Sequence, residues 1–190
     1  MYLLAGLGNP GEKYAGSRHN IGFSFLDYLA GKNNLVFRVS PQQALVIETV
    51  LWQTRLILAK PTTYMNASGV AVASLVDRHV LAPERILVIH DDIDLALGRI
   101  KIVAGGGAGG HRGVSSLIDS LGTREFPRMK IGVGRPLDAT PVENYVLSRF
   151  EADELAVLAD KMELLVEGVR LFVKRGTAVA MNHINSLKSA

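Results

Sequence analysis

The stretch that most constrains this fold is Ile86-Leu87-Val88-Ile89, four apolar residues in a row with no polar alternation. A strand that faces water on one side alternates apolar and polar residues, because successive side chains point to opposite faces. A strand without alternation must be covered on both faces, which is the condition of a strand inside a parallel sheet with helices on either side. The start of the chain imposes the same condition. Tyr2-Leu3-Leu4-Ala5-Gly6-Leu7-Gly8 is apolar, then loses its side chains, and Asn9-Pro10-Gly11 breaks it. That is the pattern of a buried strand running into a tight turn. Glu12 to Arg18 forms a polar connection, and His19-Asn20 opens an apolar, helix-like run from Ile21 to Ala30.

The rest of the chain alternates in the same way. Extended runs occur at Leu35-Val36-Phe37, Ala44-Leu45-Val46-Ile47 and Leu56-Ile57-Leu58-Ala59, punctuated by Pro41 and the polar residues around Gln53. A helical pattern from Ala67 to Val80 places Val72, Leu75, Val76, His79 and Val80 on one face. Ile100 to Val103 reads as a short strand, Gly113 to Leu121 as a short helix, and Met129 to Val133 as a half-buried strand. Leu155, Leu158, Met162, Leu165, Val169 and Phe172 recur at spacings of three and four, the stripe of a long helix. Acidic residues near its start and Lys174-Arg175-Gly176 at its end suit the helix dipole and a C-terminal glycine cap. A weaker segment, Thr177 to Leu187, follows. The expected fold is α/β: one domain over 1–190, three layers α/β/α around a mixed central sheet.

Composition removes several classes of function. With 48% apolar and 21% charged residues the chain is globular rather than disordered. It has no cysteine, so disulfides, thiol nucleophiles and cysteine metal sites are out, and a reducing compartment fits. No apolar stretch approaches the roughly 20 residues of a membrane helix, and no basic segment precedes Tyr2, so no signal peptide is expected. A formal net charge of +3 is compatible with a nucleic-acid partner without requiring one.

In open α/β sheets, ligands bind beyond the carboxyl ends of the strands, and four clusters fall there. Asn9 and His19 close the first strand and begin the next helix; a turn residue and a helix-start residue are the plainer readings. Gly6-x-Gly8-x-x-Gly11 formally fits a dinucleotide fingerprint, which requires the helix to begin at its third glycine. In Lys60-Pro61-Thr62-Thr63-Tyr64-Met65-Asn66, Asn66 is either a helix cap or a polar site residue. His90-Asp91-Asp92-Ile93-Asp94 offers three carboxylates, for Mg²⁺, for turns, or for orienting a histidine. Gly105 to Gly113, with His111 and Arg112 inside it, is a glycine loop before a helix, open to an anion or mobile as a flap. It lacks the Lys-Ser/Thr pair of a P-loop. Taken together, the clusters suggest a His–Asp pair with amide donors, and water activated by histidine.

These residues resemble the bacterial peptidyl-tRNA hydrolase family. Gly6-Leu7-Gly8-Asn9-Pro10-Gly11, Tyr14, Arg18-His19-Asn20-Ile21-Gly22, Lys60 to Gly69, His90-Asp91-Asp92-Ile93-Asp94-Leu95, the glycine loop and Lys130-Ile131-Gly132-Val133-Gly134-Arg135-Pro136 all occur in family order. The resemblance covers nearly the whole chain. It implies an enzyme that cleaves the ester between a peptide and the 3′ ribose of tRNA, recycling tRNA from prematurely released peptidyl-tRNA. By the resemblance, His19 is the general base and Asp91 its partner. Asn9 contacts the peptide beside the ester, and Asn66 holds the water or the oxyanion. Tyr14 and Tyr64 line the groove for the 3′ end, and Lys101 and Lys130 meet phosphates. No metal and no cofactor is implied, so Asp92 and Asp94 are read as structural. The partner is peptidyl-tRNA, not a membrane, and the enzyme is expected to be a cytoplasmic monomer. One position departs from the family: Asn usually follows the loop histidine, and here Arg112 stands there. An amide donates and accepts, whereas guanidinium only donates and adds charge. The rival readings are a non-catalytic RNA-binding protein on the same fold, as in relatives that act in chloroplast RNA splicing, and a nucleotide-dependent enzyme.

Overall fold

The computed structural model of the chain is described over residues 1–187. Its strands are β1 (Tyr2–Gly6), β2 (Arg38–Ser40), β3 (Ala44–Leu51), β4 (Thr54–Pro61), β5 (Ile86–Asp92), β6 (Ile100–Val103) and β7 (Arg128–Gly132). The helices are α1 (Ile21–Lys32), α2 (Ser68–His79), α3 (Arg112–Leu121), α4 (Val142–Leu147), α5 (Ala152–Arg175) and α6 (Thr177–Ser186). The strands form one seven-stranded sheet in the order β2-β3-β4-β1-β5-β7-β6. β4, β1, β5 and β7 run parallel, while β2, β3 and β6 enter through antiparallel pairings. The sheet is therefore mixed, with a parallel centre, as expected.

The uninterrupted apolar strands lie at that centre. Leu87 and Ile89 point into a core with Phe25, Leu29, Leu165 and Phe172, under α1, α5 and α6. Ile86 and Val88 point the other way, onto Val72, Leu75, Val114 and Leu117 of α2 and α3. Neighbouring residues feeding opposite cores is the physical content of the missing alternation. The approach of α1 to the sheet depends on Gly22, where an added Cβ would stand 2.4 Å from the Ile89 carbonyl oxygen and 2.6 Å from the Leu7 nitrogen. That close contact holds the 3₁₀ turn Arg18–Asn20 against the ends of β1 and β5.

Several local expectations are corrected. Leu35 and Phe37 pack on the core from an irregular segment, and the edge strand begins at Arg38. α2 ends at His79, and Val80 turns left-handed and is 89% exposed, so it leaves the apolar face. Leu155 is exposed, and the buried stripe of α5 begins at Leu158. Asn66 is not a helix cap: Tyr64 precedes the 3₁₀ turn Met65–Ala67, Ala67 precedes α2, and neither helix start receives a side-chain cap. The dinucleotide fingerprint also fails, since Gly11 leads into a 3₁₀ turn, Glu12–Tyr14, and the helix waits until Ile21. Among the described residues no helix is long and apolar enough to cross a membrane.

Candidate active site

The parallel strands β1, β4, β5 and β7 end on one edge of the sheet. Their following segments, with the glycine loop and α4, surround a cavity of about 580 Å³. Asn9 arrives after β1, Asn66 after β4, and Asp91 at the C-terminal end of strand β5, while His19 comes from the turn before α1. Three stretches far apart in sequence thus deliver their polar groups to one place.

Asp91 is at the centre and is 2% exposed. Its Oδ1 lies 2.8 Å and its Oδ2 3.0 Å from His19 Nδ1. The same Oδ1 lies 2.9 Å from Nε2 of His111. A carboxylate only accepts, so both ring nitrogens facing it carry protons. This settles what each ring has left. His111 Nδ1 accepts from the Val114 N–H, capping α3, so it carries no proton and His111 is a neutral donor. His19 keeps Nε2, which makes no hydrogen bond among the described residues and faces the cavity. Burial alone would raise the Asp91 pKa, but the hydrogen bonds donated by His111 and then by His19 outweigh it and hold the carboxyl well below the usual range.

A third histidine stands behind the pair. His90 is buried, and its Nδ1–H donates to the Asp91 carbonyl oxygen at 2.7 Å. Burial pushes its pKa well below the ordinary histidine value, so it is neutral near pH 7. Its ring meets that of His111 edge-on, with centroids 4.6 Å apart.

Asn9 is held from both sides. Its backbone N–H donates to Asn20 Oδ1 and its carbonyl accepts from Asn20 Nδ2, both at 2.9 Å. Its own Oδ1 accepts from the Met65 N–H at 2.8 Å, which leaves its Nδ2 to donate elsewhere. Asn66 lines the cavity, is exposed, and makes no side-chain bond among the described residues. Tyr14 and Tyr64 meet edge to face, with centroids 6.4 Å apart. Tyr64 lines the cavity and Tyr14 stands behind it. Beneath His19, Arg18 makes a bidentate pair with Glu154 at 2.8 Å and is stacked between Tyr145 and Phe150. This buried clamp holds the turn that carries His19.

The expected cations occupy less open settings. Lys130 lines the cavity, but its Nζ is 2.8 Å from Asp92. Lys101 is exposed and lies opposite Lys130 across the β6–β7 pairing, outside the cavity lining. Arg112 lines the cavity and is paired with Glu143 of α4. The three carboxylates at the end of β5 and just beyond it do not converge: Asp91 takes histidines, Asp92 takes Lys130 and Asp94 takes Arg135. The Mg²⁺ reading of that cluster therefore loses its geometry. Among the described residues the ligand atoms of His19, Asp91 and His111 do lie within 4.8 Å of one another. A metal on His111 Nε2 would, however, require a proton on Nδ1, where the Val114 N–H already points. The donor set suits hydrogen bonding better than ligation.

Sequence reading passed over His111, Glu143 and the Arg18–Glu154 clamp. Only His111 left a signal, as a histidine ending a glycine loop before a helix.

The family described as peptidyl-tRNA hydrolase matches residues 3–190. The chain is 45% identical over 189 residues to the peptidyl-tRNA hydrolase of Thermodesulfovibrio yellowstonii, covering 98% of this chain and 100% of that one. It is 43% identical over 188 residues to that of Chloroflexus aurantiacus, again covering 98% and 100%. The crystal structure of peptidyl-tRNA hydrolase from Acinetobacter baumannii superposes with a TM-score of 0.93 at 34% identity, covering 100% of this chain and 97% of that one.

Proposed function

The chain belongs to the peptidyl-tRNA hydrolase family and is a hydrolase, and from that premise we propose that it cleaves the ester between a peptide and the 3′ ribose of tRNA, with His19 as general base. The observation that carries this reading is His19 itself: Nδ1 is committed to Asp91 at 2.8 Å, and Nε2 is free at the cavity. Water gives a proton to Nε2 as its oxygen attacks the ester carbonyl. Asp91 favours the imidazolium that forms, because the cation gains a charged partner. The tetrahedral oxyanion needs donors, and the unspent amide groups of Asn66 and Asn9 are suited to that task. Collapse of the intermediate expels the 3′ ribose oxygen, which recovers the proton from His19. Water is consumed, and free peptide and tRNA result. His111 does not move the proton; it holds Asp91 from the other side.

In the same reading, Tyr64 with Tyr14 behind it offers a ring surface to the tRNA 3′ end, where bases stack on aromatic faces. Arg112, Lys130 and Lys101 meet phosphates. The reaction runs without metal or cofactor, on peptidyl-tRNA, in the cytoplasm, as a monomer. The test is release of labelled N-acetyl-amino acid from N-acetyl-aminoacyl-tRNA in the presence of EDTA. Release at an unchanged rate supports the proposal. Loss of release on chelation, restored by Mg²⁺, would return the metal reading. Sedimentation as a dimer at assay concentration would overturn the monomer.

A further inference from the structure

We infer that Glu143 is a built-in competitor for a substrate phosphate: its carboxylate holds the Arg112 guanidinium in the free enzyme, straps α4 across the cavity mouth, and yields when a phosphate of the tRNA 3′ end takes that guanidinium. The inference rests on the reading that the cavity receives a tRNA 3′ end. Arg112 and Glu143 both line the cavity, from α3 on one wall and α4 on the other. Their side chains are 65% and 70% exposed. A second exposed pair, Arg135 to Asp94, ties the segment before α4 to the segment after β5. Two ion pairs thus fasten one strap to facing parts of the cavity rim.

The strap has little else to hold it. From Arg135 to Leu147, Val146 alone is buried, and Leu137 is fully exposed. Its base is different: the Tyr145 hydroxyl donates to the Val133 carbonyl oxygen at 2.8 Å, and Arg18 packs on the Tyr145 ring above its pair with Glu154. The pair beneath the strap is nearly dry, at 7% and 20% exposure, whereas the pair at its tip is wet. Exposed pairs are weak and screened by salt. A guanidinium binds phosphate bidentately as readily as carboxylate. Exchange at Arg112 therefore conserves the contact and frees α4, while the negative charge of Glu143 moves away from the incoming backbone. This gives a physical role to the charge at Arg112, which an amide at that position could not fill.

The experiment measures affinity for deacylated tRNA, using the full chain, at several salt concentrations. The variants are Glu143→Gln, Arg112→Gln, the double variant, and Glu84→Gln. Glu84 is an exposed acid in the turn before β5, at the opposite edge of the sheet. Glu143→Gln should tighten binding at low salt by roughly two- to fivefold, the range set by releasing one exposed pair, and the gain should fade as salt rises. In the Arg112→Gln background it should vanish, and Glu84→Gln should show less of it. A gain of equal size in the Arg112→Gln background, or for Glu84→Gln, would reduce the effect to net charge and overturn the exchange. So would no gain at all. If the wild type releases no N-acetyl-amino acid from N-acetyl-aminoacyl-tRNA, the functional reading falls instead; if it does and Glu143→Gln is silent, only the exchange falls.

Discussion

Replacing Asp91 by Asn isolates the charge at the centre of the site. One oxygen, Oδ1, accepts from both His19 and His111, at 2.8 and 2.9 Å, while Oδ2 touches only His19. An Asn with its oxygen in the Oδ1 place keeps both hydrogen bonds and the His19 tautomer, and loses the negative charge. The lower bound on the effect is the difference between a charged and a neutral hydrogen bond, about 1 kcal/mol. The upper bound is two unit charges about 4 Å apart at an effective dielectric near 20, about 4 kcal/mol. At about 1.4 kcal/mol per tenfold, the chemical step should slow by roughly five- to 700-fold. The assay is single-turnover cleavage of N-acetyl-aminoacyl-tRNA from pH 4.5 to 8.5. A rate within twofold of wild type would refute the electrostatic role of Asp91.

Other expectations follow from the same geometry. His111→Ala should lose the α3 cap, about 1 kcal/mol of stability, and slow cleavage. His111→Asn should recover melting temperature more fully than rate, and equal recovery of both would make His111 a cap only. Acid should destabilise the chain in two stages in thermal melts. The buried neutral His90, with its depressed pKa, loses its contribution as pH falls below about 6.5, and Asp91 loses its own below about 4. A flat melting temperature across that range would contradict both assignments. Arg112→Asn and Lys130→Ala should each make the salt dependence of tRNA affinity shallower by less than the roughly 0.7 per free single-strand contact, because both cations begin in ion pairs. An unchanged slope for either would remove it from the phosphate contacts.

The frame of this protein is legible from hydropathy alone, because Ile86 to Ile89 and Leu3 to Leu4 divide between two cores, a condition only a covered sheet satisfies. The strand ends are legible for the same reason, which is why Asn9, His19, Asn66 and Asp91 fall on one edge. The pairings across that edge are not. His111 reaches Asp91 from 20 residues away and Arg112 reaches Glu143 from 31, and no local pattern encodes which polar group a loop will meet. Lys130 reads as a free cation until the fold puts Asp92 beside it. Val80 and Leu155 fail for local reasons: the backbone turns left-handed at Val80 and takes its side chain off the apolar face, and Leu155 lies in the first turn of α5, before the buried stripe begins at Leu158.

The central claim is that His19 performs chemistry rather than binding. The direct measurement is single-turnover release of labelled N-acetyl-amino acid by wild type and His19→Ala, beside tRNA affinity for both. Loss of a general base slows the reaction by about 10²–10⁴-fold, so release should fall by that factor while affinity stays within about threefold. Retention of more than half the wild-type rate, or a loss of affinity that accounts for the loss of rate, would contradict the account.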